Sequence, residues 1–181
     1  MNLTRLSSKI TNNMQDVISL KSNKKEFIKF LNEVLNIKIL EINFIKILKF
    51  DFVSEYGFLL YKYKVKTIEN DEIQIYIKLI KNNRIKQSVF CYWSQIYEEE
   101  IEEKEAELSI NRIAIKEKEI NEFKRSIFLE MENNNTEILK NGTQIYLINL
   151  LKYMKNIKET IEVFPNKLEE DDIVLIGIKN N

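Results

Sequence analysis

Histidine is absent from this sequence, which excludes imidazole metal ligands, Ser-His triads and histidine general bases. A single cysteine, Cys91, rules out an internal disulfide framework and any cysteine-based zinc site. No run of about 18 apolar residues occurs, so no membrane span is expected. The opening MNLTRLSSKI lacks the apolar stretch of a secretion signal. A reducing, cytoplasmic setting is the expectation. Proline occurs once and glycine three times, against 44% hydrophobic residues. That balance argues for a folded, strand-containing domain and against disorder.

The 181 residues suit a single domain spanning 1–181, large enough to bury a core without staples. Net charge is zero, but its distribution is uneven. Residues 1–97 hold 16 Lys+Arg and 9 Asp+Glu, whereas residues 98–181 hold 12 and 19. A basic half can meet nucleic acid, and an acidic half is repelled by it. The same numbers also suit a sequence in which Lys, Asn, Ile and Glu are simply abundant.

Asp71 to Glu100 is the most readable stretch. Ile73, Ile75, Ile77 and Leu79 alternate with the strand period. After Lys81-Asn82-Asn83 the period changes, and Ile85, Val89, Tyr92, Trp93 and Ile96 line one face of a helix from about Asn83 to Glu105. Upstream, Asn23 followed by Glu26 resembles a helix N-cap with its reciprocal carboxylate. The helix it opens has Phe27, Phe30, Leu31, Val34 and Leu35 on one side. Lys38–Leu48 reads as a strand, apolar on both faces as in a central position. Phe58–Thr67 and Glu72–Ile80 read as a hairpin turning near Glu69-Asn70-Asp71. Further strands are expected over Leu108–Ile115, Arg125–Glu132 and Gln144–Leu150, and a helix over residues 151–163. Ile173–Ile178 suits either a last short strand or a buried tail. The charged run Glu98–Glu107 reads as a solvated helix end. The fold class is α/β (α+β), with a mixed central sheet flanked by helices.

Several segments resemble, in order and spacing, the transposase-associated, recombination-promoting branch of the PD-(D/E)XK nuclease superfamily. They are Phe30-Leu31-Asn32-Glu33-Val34-Leu35, Cys91-Tyr92-Trp93-Ser94-Gln95-Ile96-Tyr97, Leu108-Ser109-Ile110-Asn111-Arg112-Ile113, Arg125-Ser126-Ile127-Phe128-Leu129-Glu130, and Gln144 to Lys152. The resemblance runs from about residue 16 to 153, leaving 154–181 as a C-terminal extension. It implies a restriction-endonuclease-like core. In that core an Asp on one hairpin strand and a Glu-x-Gln or Glu-x-Lys on the next hold Mg²⁺, which activates water against a phosphodiester.

The chain departs from that pattern at the metal site. Lys62 stands at or beside the Asp position, Tyr76 at the Glu position and Lys78 at the Gln or Lys position. No acidic residue lies between Phe58 and Ile68 or between Ile73 and Tyr97, so a one-residue shift does not recover the site. An ammonium where a carboxylate should be repels Mg²⁺. The reading is therefore an eroded, non-catalytic nuclease fold without a cofactor. Lys62, Lys64, Lys66, Lys78, Lys81, Arg84 and Lys86 are candidates for a basic face that binds phosphates. The competing reading of these residues is a solubilised strand face. The implied role is weak, non-specific DNA binding or protein interaction, in a mobile-element, plasmid or phage setting. The alternatives are a divergent Mg²⁺-dependent endonuclease rebuilt from Asp51, Glu55, Asp71 or Glu72, and a factor that binds only protein. Tyr92 and Trp93 are expected in the core.

Overall fold

The computed structural model describes residues 24–50, 58–98, 113–131, 143–157 and 169–180. The first element is α1 (Lys24–Leu35), whose buried stripe is the expected Phe27, Phe30, Leu31, Val34 and Leu35. It ends at Asn36, whose φ of 53° is the left-handed conformation that asparagine tolerates at a helix C-terminus. The proposed cap at Asn23 lies outside the described residues. Asn32 Oδ1 accepts from the Ile39 N–H at 2.9 Å, fixing the entry into β1 (Ile39–Phe50).

β2 (Phe58–Thr67) and β3 (Glu72–Lys81) form the expected hairpin. Its turn closes through Thr67 N–H to the Asp71 carbonyl at 3.0 Å, and Asn70 takes a φ of 68°. A 3₁₀ turn, Asn82–Arg84, leads into α2 (Ile85–Glu98). The helix thus starts two residues later than its periodicity suggests. β4 (Ile113–Glu119) and β5 (Lys124–Met131) form a second hairpin. Asn121 Oδ1 holds its turn by accepting from the N–H groups of Phe123 and Lys124. β4 runs later than the strand expected over Leu108–Ile115, whose first part lies outside the described residues. β6 (Thr143–Asn149) runs directly into α3 (Leu150–Ile157), with Asn149 Oδ1 capping the Lys152 N–H at 2.9 Å. β7 (Asp172–Asn180) closes the order of elements.

The seven described strands join one sheet in the order β1-β2-β3-β7-β6-β5-β4, and every neighbouring pair is antiparallel. The fold is α+β. The sheet is not mixed, as the sequence reading had it. β7 returns between β3 and β6 and runs opposite to both, so no parallel pair arises. This last strand of the chain lies at the middle of the sheet, buried along Asp172–Ile178. Burial on both faces explains its unbroken Ile-Val-Leu-Ile run. β1 is a second correction: it is an edge strand, not a central one.

Helices cover both faces. On one, α1 and α3 pack over Tyr61, Tyr63, Val65, Ile73, Ile75, Ile77, Val174 and Ile176. The Tyr153 hydroxyl of α3 donates to Glu33 of α1. On the other, α2 lays Ile85, Val89, Tyr92 and Trp93 over Leu60, Tyr76, Ile80, Leu129, Leu147 and Leu175. These four are the helix residues that the sequence stripe selects; Ile96 lies among the side chains not described.

Candidate functional site

The two faces sort the basic residues. In β2 the odd positions Tyr61, Tyr63 and Val65 enter the core under α1, so Lys62, Lys64 and Lys66 project to the α2 side, as strand alternation requires. In β3 it is the even positions that face α2, with Tyr76 and Ile80 in that core. Register brings these rows together. Lys62 is directly opposite Tyr76 of β3 and Lys46 of β1. Lys64 is opposite Gln74 and Asn43, and Lys66 opposite Glu72 and Glu41. Beyond β3, Lys179 of β7 pairs with Gln74, and Lys78 with Leu175. Neighbouring strands lie about 4.8 Å apart and alternate residues about 6.7 Å apart, so register sets the backbones of these lysines side by side on one face.

Over β1, β2, β3 and β7, six lysines (46, 62, 64, 66, 78 and 179) share this face with two glutamates, Glu41 and Glu72. Lys64 Nζ pairs with Glu72 at 2.9 Å, both about half exposed, so the pair contributes little. The Asn43 side-chain amide donates to Glu41 at 2.9 Å. Lys46 and Lys62 are like charges directly opposite each other, an arrangement that costs stability.

The three positions implied for a metal site do meet, as Lys62, Tyr76 and Lys78, but their chemistry does not suit Mg²⁺. Lys62 Nζ lies 5.4 Å from the centre of the Tyr76 ring, within cation–π range. Tyr76 is buried, and its hydroxyl donates to Gln74 Oε1 at 2.8 Å. Its ring packs edge-on against Tyr92 at 5.2 Å. Tyr76 therefore fills the sheet–helix interface and supports Lys62 from below. Among the substitutes considered for metal binding, Asp71 is exposed at the hairpin turn and Glu72 is engaged by Lys64. Asp51 and Glu55 lie outside the described residues. Among the described residues no group of three or more Asp, Glu, Cys or His is arranged to hold a metal ion.

Carboxylates do converge elsewhere. At the far end of β3, Lys81 Nζ lies 2.6 Å from Asp172, 2.7 Å from Glu169 and 3.2 Å from Asp171. Partial burial acts to lower the Lys81 pKa, but contacts with Asp172, Glu169 and Asp171 outweigh it and raise the value. The contact with Asp172 is a close ion pair, and Asp172 also accepts from the Glu169 N–H at 2.8 Å. The cluster pins the turn that starts β7. Lys81 thus leaves the candidate basic face. Arg84, bonded to Gln87 at 3.0 Å, and exposed Lys86 lie at that same far end. Sequence reasoning grouped these three with the lysines of β2, and the fold separates them. Lys46 and Lys179 were missed, because only strand register brings them in.

Comparison with family models, with curated proteins and with solved structures gives no match for this chain. Among the described residues no helix is long and apolar enough to cross a membrane.

Proposed function

We propose that the protein is a non-catalytic nucleic-acid-binding module that uses the lysine face of β1, β2, β3 and β7 to hold the phosphate backbone. The observation that carries this reading is the six-lysine field, in particular the direct opposition of Lys46 and Lys62. A face that only needed solubility would intersperse the two signs, whereas a row of like charges suits an anion laid across the strands. Among the described residues of the field the one aromatic ring, that of Tyr76, is buried and not presented for base stacking. Binding therefore rests on phosphates and is independent of sequence. The order helix–strand–hairpin–helix from α1 to α2 supports the eroded nuclease-like scaffold. Its sheet, antiparallel throughout, departs from the mixed sheet of the family resembled.

The test is DNA binding measured against salt. With four to six phosphates engaged, log K should fall with log salt at a slope of about −4 to −5. Binding should be micromolar or weaker at physiological salt. Neutralising Lys62, Lys64 and Lys66 together to Gln keeps their stems and should make the slope shallower by about 2.7. An unchanged slope, or no binding at low salt, rejects the reading. Mg²⁺-dependent nicking of plasmid DNA that disappears in Asp71→Ala or Glu72→Ala would replace it with the relocated-ligand endonuclease.

A further inference from the structure

The sheet has two edges, and they are treated differently. β4 carries Lys116, Glu117, Lys118 and Glu119 in a row, all exposed, which is the usual protection against unwanted pairing. β1 has no comparable run. Four of the five exposed large hydrophobics among the described residues gather along it: Leu40 (60% exposed), Phe44 (47%), Ile45 (46%) and Ile68 (52%). Ile68 belongs here because its N–H bonds to the Lys38 carbonyl at the start of β1. No described strand pairs with the outer side of β1.

We propose that this edge binds a second copy of the chain, whose own β1 adds antiparallel across a two-fold axis through Asn43. The choice of occupant comes from the pairing pattern of β1. Its register against β2 skips Leu40 and Ile45, the extra residues of two bulges. The residues that remain in register are Ile39, Glu41, Ile42, Asn43, Phe44, Lys46 and Ile47. Folded back on itself about Asn43, this series places Ile42 opposite Phe44 of the second copy, Glu41 opposite its Lys46, and Ile39 opposite its Ile47. Face matches face in every pair. Ile39, Ile42, Phe44 and Ile47 lie on the α1 side with Thr67, Val65, Tyr63 and Tyr61, while Glu41 and Lys46 lie on the α2 side with Lys66 and Lys62. Apolar residues thus oppose apolar ones, and each acid opposes a base, twice per dimer. Lys46, which lies opposite Lys62 in the β1–β2 pair, gains a carboxylate neighbour. Leu40 of one copy and Ile45 of the other flank the Glu41–Lys46 pair. An axis perpendicular to the sheet leaves both lysine faces on the same side.

The experiment is sedimentation of the full chain without nucleic acid, with two sets of variants. The protein should show a concentration-dependent dimer. Glu41→Lys and Lys46→Glu should each weaken it roughly tenfold, because either one turns two attractive cross-strand pairs into like-charge pairs. The double reversal Glu41→Lys/Lys46→Glu should restore it. Both side chains are exposed, so the monomer fold should survive, and circular dichroism checks that it does. In a Cys91→Ser background, Asn43→Cys should cross-link on oxidation, since directly opposed Cα atoms are about 4.5–5.5 Å apart. Glu41→Cys should not, its partner lying about 13 Å along the strand. A monomer at every concentration overturns the proposal. So does a dimer indifferent to the charge reversals and not trapped through residue 43.

Discussion

Gly177 sits in the middle of the central strand, and a single methyl group there should be among the costliest small changes this fold can receive. A Cβ built on Gly177 lies 2.2, 2.3 and 2.7 Å from ring carbons Cζ, Cε2 and Cε1 of Tyr92. Carbon atoms pack at about 3.5–4.0 Å, so the ring would have to retreat by more than 1 Å. It has little room to do so. Tyr92 is fully buried, stands edge-on to Tyr76, and Tyr76 is held by Gln74. The cost is steric and not conformational, because Gly177 does not adopt the left-handed backbone that favours glycine. Overpacking of a core by one methyl typically costs 1–3 kcal/mol, and an overlap this deep belongs at the upper end, about 3 kcal/mol. That is a large share of a total stability of about 5–15 kcal/mol.

Chemical denaturation of Gly177→Ala measures the loss directly, and a double-mutant cycle identifies its source. Tyr92→Ala alone should cost about 3–5 kcal/mol through the cavity it leaves. With the ring gone the added methyl has nothing to strike, so the double variant should be more stable than the two losses combined predict, by about 2 kcal/mol. A neutral Gly177→Ala, or strict additivity with Tyr92→Ala, would refute the claim that the close approach of α2 to β7 depends on glycine.

Trp93 is 1% exposed on the same helix stripe, so Trp93→Ala should cost about 3–5 kcal/mol and native emission should be blue-shifted; a quencher-accessible indole would remove α2 from the sheet. Stability should fall steeply above about pH 10. Burial raises the pKa of Tyr61, Tyr63, Tyr92 and Tyr146, with the neighbouring Tyr61 adding to the rise at Tyr63 and Tyr76 to that at Tyr92. An unfolded chain sheds those protons near pH 10 while the folded one keeps them, so rising pH favours unfolding. Lys81 acts in the same direction: its raised pKa gives stability that is complete below about pH 10.5 and is lost above it. Lys81→Met should therefore lower stability at neutral pH and flatten the alkaline decline in a thermal-melt series. Tyr63→Phe should also flatten the decline, at no more than about 1 kcal/mol cost, because its buried hydroxyl has no hydrogen-bond partner among the described residues; a larger loss would reveal a partner for that hydroxyl.

Elements whose pattern is local could be read from sequence almost to the residue. The hairpin of β2 and β3, the apolar stripe of α1 and the placement of Tyr92 and Trp93 in the core all follow from a period of 2 or 3.6 within one segment. Sheet order could not be read in this way. β7 pairs with residues roughly 100 positions earlier, as in Ile77 with Ile176, and its apolar run suits a central strand or a buried tail equally well. β1 misled for a different reason. The extra residues Leu40 and Ile45 interrupt its alternation, so a strand with one buried face looks apolar on two.

The same parity argument accounts for both the success and the failure at the lysine face. Lys62, Lys64 and Lys66 differ by even steps and must share a face wherever β2 is regular. Lys78 and Lys81 differ by three, so a regular β3 must place them on opposite faces. Strand period alone was therefore sufficient to exclude Lys81 from the patch, and the three carboxylates around its ammonium show what it does instead. No such rule reaches Lys46 or Lys179. Lys46 lies past two bulges on another strand, and Lys179 on a strand that enters the sheet last in the chain yet lies at its centre. The charge of the face is set by register, and a single-residue slip of β1 would remove Lys46 from Lys62 and Glu41 from Lys66 together. The two bulges therefore fix both the field that faces phosphate and the self-complementary edge beside it.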